Sequence, residues 1–193
     1  MSKKLLFIRT DNIQIPDSHV EALNKMVKTL NISVVLKDIQ TIDEIKETLT
    51  QKYKYICFAG HGDTENFGNS SEISIPWSEI GKEICLTDAL LPNSKIILDC
   101  CFGGLKSVAC SLMNICSKID YVIGSKNEIH SIDMLNATCL FIYNIERNFT
   151  IGDEKCGHRV LYGTGIKINH FSRSEYDNEN DIYFCPDCEQ YNQ

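Results

Sequence analysis

Two short stretches decide the fold of this chain: YICFAGHGD at residues 55–63 and KIILDCCFGG at residues 95–104. Each is an apolar run of strand length that ends in a reactive side chain followed by glycine. The first run leads to His61 and the second to Cys101. In an open parallel sheet, reactive groups lie outside the carboxyl ends of the strands. We therefore expect the two side chains to meet, although 40 positions separate them in the sequence.

Strand-like and helix-like patterns alternate on both sides of these stretches. Buried strands are predicted at residues 4–9, 32–36, 53–59, 95–98 and 121–124. Helices are predicted to begin at the caps Ser18 and Thr41, and to cover residues 77–84, 103–116 and 132–146. This alternation is typical of an α/β fold with a mainly parallel sheet flanked by helices. The polar segment 63–76 is predicted to be a loop that forms one wall of the site.

The pattern weakens beyond residue 150, which predicts a chain of two parts. Residues 1–150 are expected to form a catalytic domain, and residues 151–193 a C-terminal extension packed on the same domain. Short edge structure is predicted at residues 160–162 and 165–169 of the extension.

The composition narrows the classes of partner and compartment. The formal net charge is -7 and the lysines form no basic tract, so no nucleic-acid partner is expected. No apolar segment is long enough to cross a bilayer, so no membrane partner is expected either. Ten cysteines without an export signal are typical of reduced thiols, which predicts a cytoplasmic protein.

The two stretches resemble the motifs of the caspase-like cysteine peptidase superfamily, which includes metacaspases, clostripain-like peptidases, separases and CHAT-type peptidases. In that superfamily one strand ends in His-Gly and another in Asp-x-Cys, followed by small residues. Here these are His61-Gly62 and Asp99-Cys100-Cys101, and caspase histidines precede the cysteine by about 50 residues. The resemblance covers roughly residues 4–147. It implies a caspase-like fold, a protein or peptide substrate, a regulatory partner protein and no cofactor for catalysis.

Cys101 is the predicted nucleophile and His61 the predicted general base, because an imidazole can take the proton of a nearby thiol. A cysteine just before a helix N-terminus also lies in a field that favours its thiolate. Cys100 is the rival nucleophile, but neighbouring strand residues point to opposite faces, so only one of the pair can face His61. The resemblance implies that the backbone amides of Gly62 and Cys101 stabilise the oxyanion. No third catalytic residue is evident in the sequence.

Asp99 has two interpretations. In metacaspase-like and clostripain-like relatives, the acid two residues before the cysteine lines the S1 pocket and binds an arginine or lysine side chain. The resemblance therefore implies cleavage after a basic P1 residue, which is the substrate residue preceding the cut bond. Alternatively, Asp99 caps the helix that is predicted to begin near Gly103.

The sequence also departs from parts of the superfamily. Many metacaspases have serine where this chain has Ala59, and His-Ser where it has Phe102-Gly103. A catalytically silent relative that acts as an interaction scaffold is the main alternative, although such relatives usually lack the histidine or the cysteine. A nucleotide-binding role ranks lower, because no glycine-rich phosphate-binding motif is present.

A second group of cysteines lies near the C-terminus. Cys185 and Cys188 form a Cys-x-x-Cys motif, and Cys156 and His158 could supply two further ligands. Four such ligands would complete a closed structural zinc site. The alternatives are free thiols, or a redox or disulfide role for the pair.

Overall fold

The computed structural model describes residues 3–69, 72–147, 160 and 163–174. Within these residues the strands are β1 (Lys3–Arg9), β2 (Ile32–Asp38), β3 (Tyr53–Ala59), β4 (His61–Gly62), β5 (Asn66–Gly68), β6 (Ser74–Pro76), β7 (Leu90–Asp99), β8 (Tyr121–Ser125) and β9 (Ile168–Ser172). The helices are α1 (Asp17–Lys28), α2 (Ile42–Thr48), α3 (Trp77–Leu86), α4 (Lys106–Met113) and α5 (Ser131–Arg147).

Six of the strands form a central sheet in the order β2-β1-β3-β7-β8-β9. The first five are parallel, and β9 closes one edge antiparallel to β8. The predicted α/β fold with a mainly parallel sheet flanked by helices is confirmed. In the part of the chain that the structure describes, no helix is long and apolar enough to span a membrane.

Helices cover both faces of the sheet. One face, which includes Leu6 and Phe58, packs against α2, α3 and α4. The other face, which includes Phe7 and Ile97, packs against α1 and α5. Because both faces are buried, the central strands have continuous apolar sequences rather than alternating ones.

Local capping chemistry accounts for the start of α2 but not for that of α1. The predicted capping box of α2 is present: Thr41 accepts a hydrogen bond from the Glu44 amide, and the Glu44 side chain accepts one from the Thr41 amide. The predicted cap of α1 is wrong, because Ser18 lies inside the helix. Pro16 occupies the cap position there, and no side chain caps that end.

The segment 63–76 is not the predicted loop. It contributes to a small antiparallel sheet of β4, β5 and β6. The turn forms because Asp63 Oδ1 accepts hydrogen bonds from the amides of Glu65 and Asn66, at 2.7 and 2.6 Å. These strands have only two or three residues each, too few for a periodic pattern to be visible in the sequence.

The helix after the second decisive stretch begins later than predicted. α4 starts at Lys106 rather than at Gly103. Phe102 has a left-handed φ of 58°, which turns the chain away from β7 before the helix. A Cβ at Gly104 would lie 2.2 Å from the Gly124 carbonyl oxygen, so this turn depends on direct contact between backbones.

Candidate active site

A cavity of about 610 Å³ lies at the carboxyl ends of β3 and β7. These strands are parallel neighbours in which Ala59 is paired with Asp99, so both decisive stretches end at the same edge of the sheet. The cavity lining includes all of the predicted catalytic and substrate-binding residues, which are His61, Gly62, Asp99 and Cys101. The other walls come from residues 14–15 after β1, from residues 128–130 before α5, and from Ser131 and Met134 on α5.

His61 is held at the start of β4, two residues beyond the end of β3. The side chain is 37% exposed, yet its Nε2 atom is buried and has no hydrogen-bond partner among the described residues. This nitrogen faces the Asp11 carboxylate, with 3.9 Å between Nε2 and Oδ2. The other ring nitrogen, Nδ1, is therefore the one left for a substrate or a thiol.

Asp11 is a functional candidate that the sequence analysis missed. Its Oδ1 accepts hydrogen bonds from the amides of Ile13 and Gln14, at 2.9 and 3.0 Å. These bonds fix the carboxylate, and its second oxygen points at His61. The sequence did contain one indication of this role, since Asp11 lies two residues after the strand predicted at residues 4–9. Recognising it requires knowing that β1 lies beside β3.

A buried arginine fixes the segment that carries this acid. Arg9 is 2% exposed and forms a two-pronged ion pair with Asp38, at 2.5 and 3.0 Å. Its Nη1 also donates to the Ile15 carbonyl at 2.7 Å and pairs with Asp17 at 2.9 Å. The segment 11–16 is thus held at its far end by the last residue of β1.

Cys101 lines the cavity and is partly exposed. Its Sγ accepts a hydrogen bond from the Ile129 amide at 3.4 Å and lies 3.7 Å from the Ile129 carbonyl oxygen. Because α4 begins only at Lys106, the thiol does not lie directly at a helix N-terminus, and that part of the predicted thiolate stabilisation is not supported.

Cys100 also contributes to the cavity lining, but it lies in a more buried environment than Cys101. It is 3% exposed and belongs to the core on the side of α3 and α4. Burial raises the pKa of its thiol well above the usual value, which disfavours the thiolate. A buried, protonated thiol is a poor nucleophile, so the chemistry of this site favours Cys101.

Gly62 is in close contact with both cysteines. A Cβ at this position would lie 2.6 Å from Cys100 Sγ and 2.9 Å from the Cys101 carbonyl oxygen. The Asp63 amide donates to the Asn66 carbonyl at 3.0 Å, and hydrogen-bonded pairs alternate with non-bonded pairs in an antiparallel ladder. Gly62 therefore occupies a non-bonded pair, and its amide is directed away from the ladder.

Asp99 is a buried carboxyl group in the cavity wall, 5% exposed. Burial raises its pKa from 3.8 to about 8, because the charged form loses its hydration. The interpretation of Asp99 as a helix cap is wrong: α4 begins at Lys106 after Leu105, and no side chain caps it.

Two histidines that were not predicted to act in the site lie in different places. His130 contributes to the cavity wall, and His170 on β9 stacks on Tyr121 with 5.0 Å between ring centroids. Within residues 3–69, 72–147, 160 and 163–174, no three potential metal ligands come together. The four predicted zinc ligands, Cys156, His158, Cys185 and Cys188, lie outside the described residues.

Comparisons with known proteins support the fold. No protein-family model matches the chain, and no curated protein matches it. The crystal structure of the Arg-specific cysteine proteinase gingipain R is 13% identical with a TM-score of 0.52, over 83% of this chain and 42% of that one. A complex of the Porphyromonas gingivalis RgpB pro- and mature domains gives the same identity and TM-score, over 84% and 43%. The chain thus spans about two-fifths of these neighbours and shares their fold over most of its own length.

Proposed function

We propose that this chain is a cysteine endopeptidase that cleaves peptide bonds with Cys101 as nucleophile and His61 as general base. The observation that carries the proposal is the shared cavity at the carboxyl edge of the sheet, which contains both side chains and Gly62. The caspase-like fold of the gingipain neighbours supports the same class of reaction. Acyl transfer through a thiolate needs only these groups and water.

In the proposed reaction, His61 accepts the thiol proton and the sulfur of Cys101 attacks the substrate carbonyl carbon. The backbone amides of Gly62 and Cys101 stabilise the negative oxygen that forms. His61 then protonates the leaving amine, and a thioester remains on the sulfur. Water hydrolyses the thioester and restores the free thiol. Substrate entry would displace the present contacts of Cys101 with Ile129.

Asp11 acts in this scheme as a positioning residue. Its carboxylate faces His61 Nε2 at 3.9 Å, and a negative charge on that side of the ring orients the imidazole so that Nδ1 faces the reacting groups. The proton-transfer role then belongs to Nδ1.

Asp99 is proposed to select a basic P1 residue. Among the described residues this buried carboxyl group has no ion-pair partner, and a guanidinium or ammonium group of the substrate would supply one. Binding of such a side chain would lower the raised pKa of Asp99 and convert it to the carboxylate. A regulatory partner is also proposed, supported by the neighbouring complex of pro- and mature domains.

Activity is tested with fluorogenic peptides and three purified variants. Cys101→Ala and His61→Ala are expected to lose cleavage, because the thiol and its base act as a unit. Cys100→Ser is the matched control and is expected to retain most of the activity. Full activity of Cys101→Ala would overturn the proposal. A stable wild-type protein that cleaves no peptide or protein substrate would favour the silent scaffold instead.

Specificity is tested with peptides that differ only at P1. Arginine and lysine peptides should be cleaved at least about 10-fold faster than the aspartate peptide, since a charge-assisted pair contributes roughly 1.5–3 kcal/mol. Asp99→Ala should lose this preference. Equal cleavage of basic and acidic peptides by the wild type would reject the role of Asp99. It would not affect the proposed roles of Cys101 and His61.

A further inference from the structure

Helices α3 and α4 approach each other closely at a glycine. A Cβ at Gly81 would lie 3.3 Å from Leu112 Cα and 3.2 Å from its carbonyl oxygen. Cys85 lies one helical turn after Gly81, and Cys116 lies one helical turn after Leu112. The Cys116 amide donates to the Leu112 carbonyl at 3.0 Å, so the helical spacing continues past the end of α4. The contact at the glycine therefore brings two cysteines side by side.

The two thiols are reduced and lie within hydrogen-bonding reach of each other. Cys85 is partly exposed, whereas Cys116 is buried. Two cations hold the backbone around them: Lys118 Nζ donates to the Cys85 carbonyl at 3.0 Å, and Arg173 Nη2 donates to the Cys116 carbonyl at 2.7 Å. The pair is thus positioned by packing and by hydrogen bonds on both sides.

We propose that Cys85 and Cys116 form an oxidation site that a peroxide converts into a reversible disulfide between α3 and α4. The exposed thiol of Cys85 reacts first: its sulfur takes one oxygen of hydrogen peroxide, which gives a sulfenic acid and water. The Cys116 sulfur then attacks the sulfenic sulfur, the S–S bond forms, and the displaced hydroxyl leaves as a second water. Two thiols are oxidised and one peroxide is reduced.

The protonation state of the pair supports this order. Burial, followed by smaller contributions that include the neighbouring Cys85, raises the pKa of Cys116 to about 11. Cys116 is therefore protonated near neutral pH and reacts poorly with a free oxidant. Next to a sulfenic acid on Cys85 it needs no diffusion to react, so it serves as the resolving thiol.

The bond would connect two elements that lead away from the catalytic stretches. α3 directly follows β6, which belongs to the small sheet that contains His61 and Gly62. α4 follows the turn after Cys101. A disulfide near the ends of these helices would link the element that follows His61 and Gly62 to the element that follows Cys101. This link does not depend on whether the site is catalytic.

The test uses the full chain with Cys101→Ala and Cys110→Ser, so that neither the cavity thiol nor the thiol nearest in sequence to Cys116 competes. Removing Cys110 is needed because trypsin leaves it on the same peptide as Cys116, residues 107–118. After treatment with hydrogen peroxide and alkylation of free thiols, mass spectrometry should find residues 83–95 linked to 107–118. Closing a loop of about 30 residues should raise Tm by roughly 5 °C, and dithiothreitol should reverse the change.

Cys85→Ser in the same background should abolish both the linked peptide and the rise in Tm. Because Cys85 is partly exposed, this variant avoids the packing defect that replacing the buried Cys116 would cause. The proposal is overturned if peroxide leaves Cys85 and Cys116 alkylatable, or oxidises Cys85 to the sulfinic acid without a link. It is also overturned if Tm rises equally in Cys85→Ser.

Discussion

Burial favours the protonated form of Asp99, whereas the proposed binding of a basic P1 side chain needs its carboxylate form. Its pKa is raised to about 8 by burial, against about 3.9 for an aspartate in an unfolded chain. Between these values the folded protein keeps a proton that the unfolded chain releases. The free energy of unfolding must therefore fall as pH rises through this window, by about 1.4 kcal/mol per pH unit from this group alone.

This dependence is measured by urea unfolding at pH 5, 6 and 7. Asp99→Asn should remove the contribution, because the amide has no proton to lose, so the stability of the variant relative to the wild type should increase as pH rises. Asp88→Asn is the matched control, since Asp88 is an exposed acid on the surface and pairs with Lys52. Parallel pH profiles for wild type and Asp99→Asn would show that Asp99 is already ionised in the folded protein.

Gly62 lies against the backbone of the proposed nucleophile, with no room for a side chain. A methyl group there would lie 2.9 Å from the Cys101 carbonyl oxygen, a backbone atom that cannot move without displacing the nucleophile. Gly62→Ala should therefore lower kcat by roughly 10²–10³-fold, as expected for loss of one oxyanion donor. In the control Gly163→Ala, the added methyl meets only the end of the Leu140 side chain, and activity should persist. Normal kcat in Gly62→Ala would exclude this amide from the oxyanion site.

The sequence was sufficient to identify His61, Gly62, Asp99 and Cys101 as neighbours in one cavity, because each directly follows or ends a recognisable apolar run. It was not sufficient for Asp11. That residue reaches His61 only because β1 pairs with β3, and a pattern of apolar residues carries no information about strand order.

At the scale of elements, the segment 11–16 depends on Arg9. Arg9→Met would remove its ion pairs with Asp38 and Asp17 and its bond to the Ile15 carbonyl. We expect a loss of roughly 1–3 kcal/mol of stability, because the buried Ile15 carbonyl loses its donor, whereas the exposed Asp38 and Asp17 carboxylates stay hydrated. We also expect lower kcat with an altered pH profile, because the segment carries the acid that faces His61.

The control for this variant is Thr41→Ala, which removes the capping box of α2. It should cost about 1 kcal/mol of stability without changing kcat when each protein is assayed well below its Tm. Equal kcat values and pH profiles for wild type and Arg9→Met would limit Arg9 to a purely structural role.

The start of α2 was predicted well from the capping box of Thr41 and Glu44, whereas the cap predicted for α1 at Ser18 was wrong by two residues. Element boundaries were also wrong where tertiary contacts decide them. The start of α4 is delayed by the left-handed Phe102 and by the contact between Gly104 and Gly124, which lie in different elements. The small sheet of β4, β5 and β6 also escaped prediction, although its Phe67 packs on Phe58 and on Trp77 and so joins the main core.

At the scale of the whole molecule, the fold follows from the alternation of strands and helices, and the cavity follows from the strand order. The strand order brings β3 beside β7, although α3 and the small sheet lie between them in sequence. The gingipain neighbours match the architecture over most of this chain at 13% identity. At that identity few side chains are shared, so specificity has to be argued from this chain's own cavity.

The C-terminal cysteines are predicted to affect the stability of the protein rather than its active site. If Cys156, His158, Cys185 and Cys188 bind zinc, the purified protein should contain about one metal ion per chain, because four protein ligands close a structural site. Cys185→Ser should release the metal and lower Tm, since metal affinity contributes directly to the free energy of folding. Cys110→Ser, a cysteine on α4 outside the proposed ligand set, should keep the metal. A metal-free protein whose melting curve does not respond to added zinc would make these residues ordinary thiols. The proposed roles of the cavity residues would be unaffected in that case, because the cavity and the proposed zinc ligands share no residue.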